Sequence, residues 1–382
     1  MAAACTDDGK GDGGGGGGGG NILVTGGAGF VLSNVIHAWL TTDAKAHAVA
    51  FDLERAWDDA AKAFLQPMAD AGRMHFFEGS VSDVSDWERL KATFPKGYFK
   101  YVLSGAALTP TAAEEASDGG AARILNVNLF GALHALEFTR QWAAENYRFI
   151  FVSSGALFRH PGLVCPAGEN EAIPSSMEMY TLSKWTGEQL VARYRDLYNM
   201  DALCIRFASV YGRMDRDTGA RNRHNAPYWV CKQAVASKPV VVVGDIESPG
   251  GDYLSAVDLS QCVVTMLRSP QTPKRGVYFI GLGRAVSHRE LLEAVYMCVT
   301  PSQSIDELIE KKAIVFASKD GAVGVNDGGN VHLEALSPSH PLCRGFSSTT
   351  DISPLKGMQY SLTLLLHVRI SAHIYSLLSS RV

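Results

Sequence analysis

The stretch NILVTGGAGFVLSN, residues 21–34, decides the fold. Ile22 to Thr25 form an apolar, β-branched run of the kind that makes a buried strand. The run enters a turn holding Gly26, Gly27 and Gly29, after which Phe30, Val31, Val35, Ile36 and Trp39 recur at the spacing of one helix face. A strand, a glycine turn and a helix start in that order create a phosphate cradle. The unpaired amides and the dipole of a helix N-terminus attract an anion. A diphosphate approaches closely only where no Cβ stands in the way, which is what glycine supplies. A flexible bend would use the same letters, and the rest of the chain separates the two readings.

Working outward, short apolar runs alternate with longer helical patterns. Strands are expected at Ile22–Thr25, Ala48–Asp52, Met74–Glu78, Tyr101–Ser104, Phe149–Ser153, Ala202–Phe207 and Val277–Ile280. Helices are expected at Val31–Leu40, Ala56–Ala69, Ser85–Phe94, Ile124–Glu145 and Met179–Tyr198. This alternation predicts an α/β fold with a Rossmann-type, doubly wound parallel sheet. Past Phe207 the pattern breaks down into a basic loop (213–225), the run Val240–Val243 and GGDYLSAVDLSQCVVTML. Residues 21–207 therefore read as a dinucleotide-binding domain to which a strand at 277–281 returns. Residues 208–276 and 282–382 read as a smaller, irregular C-terminal substrate lobe. The segment 311–350 yields no assignment.

The totals exclude several classes. A net charge of −4 over 382 residues offers no electrostatic case for nucleic acid or an anionic membrane. The seven cysteines are dispersed, with no CxxC and no metal-ligand spacing, as in a reduced cytoplasmic protein, so no metal site is expected. Residues 1–20 have no apolar signal core and read as a disordered glycine-rich leader. His367, Arg369 and His373 interrupt the apolar stretch at 361–382, which reads as a packed helix rather than a membrane span.

Downstream residues favour the cradle. Asp52 closes the second strand, where an acid accepts hydrogen bonds from the adenosine ribose and repels a 2′-phosphate. NAD is thereby favoured over NADP, with Arg55 nearby as the opposing charge. Tyr180 and Lys184 in YTLSK sit four apart and share a helix face. A free tyrosine, with a pKa of about 10, is a poor base at neutral pH. An adjacent ammonium favours its phenolate, and the pair can move a proton to or from a carbinol while hydride passes to a nicotinamide. Ser153 and Ser154 end a strand just upstream, at the sheet edge where such folds bind ligands.

In this order the motifs resemble the extended short-chain dehydrogenase/reductases, the NAD-dependent epimerase/dehydratase family. The resemblance spans about residues 21 to 300 and is carried by TGGAGF, SGAA at 104–107, NLFGALHALE at 128–137, SSGALF, YTLSK, RFASVYG at 206–212, DYLSAVDL at 252–259 and VYFIGLGRAVS at 277–287. It implies that Ser154, Tyr180 and Lys184 are catalytic, with Tyr180 as acid/base, Ser154 orienting the substrate oxygen and Lys184 also holding the nicotinamide ribose. It implies that Gly26, Gly29, Phe30, Asp52, Ala106 and Asn128 serve the cofactor, and that a homodimer forms through the helices at 124–145 and 179–198. Arg206 and Arg213 are candidate substrate contacts, with a structural pairing as the alternative for Arg206.

Departures from the family pattern bear on the reaction. Leu32 replaces the third glycine of the turn, and Ser80 stands where an acid often contacts adenine. Gly155 and Ala156 follow Ser154 where dehydratases and decarboxylases carry carboxylates. Gly251 stands where nucleotide-sugar enzymes usually have an arginine, leaving Arg213, Arg216, Arg221 or Arg223 as substitutes. The expected function is epimerisation of a sugar or nucleotide sugar through a transient ketone. The alternatives are a one-way dehydrogenase of a sugar, sugar acid or other secondary alcohol, and a dinucleotide-binding protein without catalysis.

Overall fold

The computed structural model describes residues 20–159, 177–216, 225–271 and 276–317, with the backbone of 332–334. The expected leader, the apolar stretch at 361–382, Arg221 and Arg223 lie outside the described residues.

Six strands come first: β1 (Asn21–Thr25), β2 (His47–Asp52), β3 (Met74–Glu78), β4 (Phe99–Ser104), β5 (Arg148–Val152) and β6 (Ala202–Phe207). Then come β7 (Ser209–Tyr211), β8 (Val240–Val243), β9 (Pro249–Gly251) and β10 (Tyr253–Ser255). The last four are β11 (Val277–Ile280), β12 (Val286–Ser287), β13 (Ile314–Ala317) and β14 (His332–Glu334). Seven of them form one parallel sheet in the order β11-β6-β5-β4-β1-β2-β3.

The apolar runs explain why this sheet is covered on both faces. Ile22, Val24, Ala48, Ala50, Leu103 and Ile150 enter one core layer, while their neighbours Leu23, Val49, Phe51, Val102 and Phe149 enter the other. Successive side chains of a strand point to opposite faces, so an unbroken apolar run is what a doubly covered strand requires. The chain winds outward from β1 to β3, then from β4 to β6 on the other side. This reversal opens a crevice between the carboxyl ends of β1 and β4.

Past β6 a second apolar cluster gathers Tyr211, Val230, Val240, Tyr253, Leu292 and Ile314. Here β8 pairs in parallel with β13 and β14, β7 pairs with β10, and β9 pairs with β12. Of these strands the sequence pattern showed only the β8 run. Its partner β13 falls in the segment that had no assignment, because four residues without flanking periodicity carry too little signal. Among the described residues, no helix is long and apolar enough to cross a membrane.

Candidate active site

The glycine turn is built as a backbone surface. Gly26 has φ +75°, and a Cβ there would stand 2.8 Å from Ala106 Cα, so no L side chain fits. Its amide donates to Phe51 O at 2.8 Å, which fastens the turn to β2. Gly29 caps the helix Phe30–Thr42 without a side-chain acceptor, leaving the first helical amides facing the crevice. Leu32, in place of the family's third glycine, is buried, and a Cβ on Gly105 would meet Leu32 Cδ1 at 2.5 Å. The small residue at this helix–strand contact is Gly105, just past the end of β4, and it leaves the space that Leu32 fills.

A cleft of about 350 Å³ runs along this edge. Gly26, Gly29, Phe30, Asp52, Ser80 and Ala106 border it at one end and Ser153, Tyr180 and Lys184 at the other. Arg55, Glu114 and Arg123 also border it; the last two were not singled out from the sequence, where nothing distinguishes them from surface charges. Asp52 Oδ2 accepts from Ala28 N at 3.0 Å and Oδ1 from Leu53 N at 2.9 Å. Burial pushes its carboxyl up, and those two amides with Arg216 and Arg55 oppose the rise. The bare glycine surface, the helix start and the acid at the end of β2 fit the diphosphate and adenosine ribose of a dinucleotide.

The other end is built from side chains. The helix Met179–Tyr198 places Tyr180, Lys184 and Glu188 on one face at intervals of four. It lies close to β5 because residue 187 is glycine: a Cβ there would meet the Phe151 ring at 2.5 Å. Lys184 is therefore buried, with its Nζ donating to Val152 O at 2.8 Å and standing 5.8 Å from the Tyr180 ring centre. Burial brings the Lys184 ammonium down to about 8, with Glu188 acting in the opposite direction. Glu188 accepts from Ser153 Oγ at 2.5 Å and from Arg206 Nε at 2.7 Å and Nη2 at 2.6 Å. This buried group ties the catalytic helix to β5 and β6. Its spacing from Lys184 was the available signal, and the sequence reading did not use it.

Four of the expected site residues do not border this cleft. Arg206 is buried in the pair with Glu188, where it acts as a structural partner, and does not border the cleft. Arg213 turns away and stacks on Phe64, 4.3 Å from the ring centre. Asn128 lies behind the cleft wall within a π turn, Asn126–Phe130, where it bonds both backbone groups of Leu108 and the hydroxyl of Ser183. It braces two elements of the site and does not face the cofactor end. Ser154 is buried at the start of the short helix Gly155–Arg159, where its Oγ accepts from Ala156 N at 3.1 Å. Ser153 borders the cleft instead.

A doubly wound sheet with a glycine turn at one end of its crevice and a Tyr-x-x-x-Lys helix at the other defines the extended short-chain dehydrogenase/reductase class. Within it, the chain matches the NAD dependent epimerase/dehydratase family over residues 22–281 and belongs to that family. A putative UDP-glucose 4-epimerase from Methanocaldococcus jannaschii is 25% identical over 171 residues, which span 44% of this chain and about half, 52%, of that protein. The CDP-paratose 2-epimerase of Salmonella typhi is 24% identical over 298 residues, covering 71% of this chain and 81% of its own. The fold is shared with the UDP-N-acetylglucosamine 4-epimerase of Methanobrevibacter ruminantium, at a TM-score of 0.67, 18% identity and coverage of 95% and 99%. It is shared also with the UDP-glucuronic acid 4-epimerase of Bacillus cereus, solved with NAD and UDP-glucuronic acid, at 0.64, 19%, 94% and 99%.

Proposed function

We propose that this chain epimerises a sugar or nucleotide sugar with NAD as a retained cofactor. The observation that carries the reading is the shared cleft, with the glycine turn and Asp52 at one end and Tyr180 and buried Lys184 at the other. The glycine turn, the start of the Phe30–Thr42 helix and Asp52 would hold the diphosphate and adenosine ribose. Nicotinamide bound at the other end of the cleft would supply reversible hydride exchange with the carbinol carbon, the chemistry that epimerisation through a ketone needs. The Tyr180 oxygen removes the carbinol proton as the ketone forms and gives it back when the alcohol is restored. The Lys184 ammonium favours the phenolate by its charge and is itself fixed by Val152 O. Glu188 holds the hydroxyl of Ser153, which borders the same cleft as Tyr180 and Lys184.

Epimerisation is favoured over dehydration by the room at position 155. A Cβ on Gly155 would stand 2.6 Å from Phe207 O, so no carboxylate-bearing side chain fits there to move a second proton. The test is incubation of the purified chain with UDP-, CDP- and dTDP-sugars, read by NMR for the epimer. Epimer without net NADH supports the proposal. NADH released in step with ketone marks the dehydrogenase alternative instead. Full turnover by Tyr180→Phe overturns the catalytic assignment.

A further inference from the structure

The segment leaving β7 crosses back onto the dinucleotide half. Met214, buried and not glycine, has φ +74°, a left-handed conformation that costs about 1–3 kcal/mol and persists only where its surroundings enforce it. The enforcing contacts lie on either side. Asn34, on the helix that the glycine turn caps, donates to Arg213 O at 2.9 Å. Arg216 forks onto Asp58, Nε to Oδ2 at 2.7 Å and Nη2 to Oδ1 at 2.8 Å. The same Nη2 reaches Ala28 O and Ala56 O, each at 3.3 Å.

Those partners frame Asp52. Ala28 lies in the glycine turn, and its amide donates to Asp52 Oδ2. Ala56 ends the turn Glu54–Ala56, which borders the cleft just after Asp52. Asp58 caps the next helix, Asp59–Asp70, by accepting from Ala61 N at 2.9 Å. Burial pushes the Asp58 carboxyl up, and the Arg216 fork with the Ala61 and Ala60 amides more than reverses this, holding it below the ordinary carboxylate range. Arg216 itself does not border the cleft.

We propose that Arg216 is a positioning residue for the dinucleotide: from behind the cleft it clamps the glycine turn and the 54–58 turn at the spacing that lets Asp52 receive the adenosine ribose. This rests on the reading that the chain binds NAD. The charged groups facing Asp52 are Arg216 and Arg55, with Glu78 opposite it on β3, and the amides of Leu53 and Ala28 complete its surroundings. Removing Arg216 both loosens the turns and deprives Asp52 of a cation, so the carboxylate takes a proton more readily as pH falls.

Calorimetric titration of the full chain, first stripped of any NAD it retains, with NAD and with ADP-ribose from acid to neutral pH tests this. Arg216→Met weakens both ligands by about tenfold or more at neutral pH, the scale of a lost charge-assisted fork. The deficit widens toward acid. Asp58→Asn, which keeps the acceptor for Ala61 N, weakens them in the same direction by a smaller factor and serves if Arg216→Met does not fold. The double variant is no weaker than Arg216→Met, since Asp58 acts on the turns only through Arg216. Wild-type affinity and pH dependence in these variants overturn the proposal. Failure of the wild-type chain to bind NAD overturns the functional reading instead.

Discussion

The two ends of the cleft are made by opposite means. At the glycine turn the working surface is backbone, and side chains matter by being absent: Gly26 leaves room for Ala106 and Gly105 leaves room for Leu32. At the Met179–Tyr198 helix the working surface is a set of buried polar side chains, Ser153, Lys184, Glu188 and Arg206, each satisfied by another group of the site. The first end therefore fails when atoms are added, and the second fails when charges are removed.

The comparison breaks most sharply at the second end. Tyr180→Phe removes only an oxygen and lowers kcat by about 10²–10⁴-fold, the usual worth of positioned proton transfer, while NAD affinity measured by titration stays near wild type. Glu188→Gln leaves the Arg206 guanidinium buried without its counter-charge. A loss of about 3–5 kcal/mol is expected from the denaturant midpoint. Replacing both members by methionine recovers most of it, which separates lost charge balance from lost packing.

At the first end the expected effect is smaller. Gly26→Ala forces a Cβ into φ +75° against Ala106, at about 1–3 kcal/mol of strain. It appears as weakened NAD and ADP-ribose binding, with Tyr180-dependent chemistry intact once the site is saturated. The mildest effect comes from pH. Lys184 loses its proton near 8, so kcat halves there and continues to fall at higher pH. Stability moves the other way. An unfolded lysine keeps its proton to about 10.4, so between these two values the unfolded chain binds more protons and the fold gains stability as pH rises. A kcat profile and a melting curve over the same pH range would show the two trends crossing.

The parts legible in the sequence are those whose cause is local. Gly26, Asp52 and the Tyr180–Lys184 pair declare themselves because strand, turn and helix periodicity fix their neighbours within a few residues. The doubly wound parallel sheet follows from the alternation for the same reason. What was illegible depends on partners far along the chain. A charge in a sequence does not say whether it meets solvent or a counter-charge, so Arg206 and Arg213 were read as substrate contacts although Glu188 and Phe64 take them. Arg216 looked like one of several cations in a polar loop, and its meaning comes from Asp58, 158 residues earlier. Asn128 was placed among the cofactor residues, whereas its amide is spent on Leu108 and Ser183.

The packing of Leu32 against Gly105 couples two positions that lie far apart in the chain. Glycine at 32 alone would leave a hollow where the leucine stands, and a larger residue at 105 alone would overfill the same space. The two changes made together should therefore cost less than the sum of each made singly, a non-additivity that denaturant midpoints of the single and double variants would read.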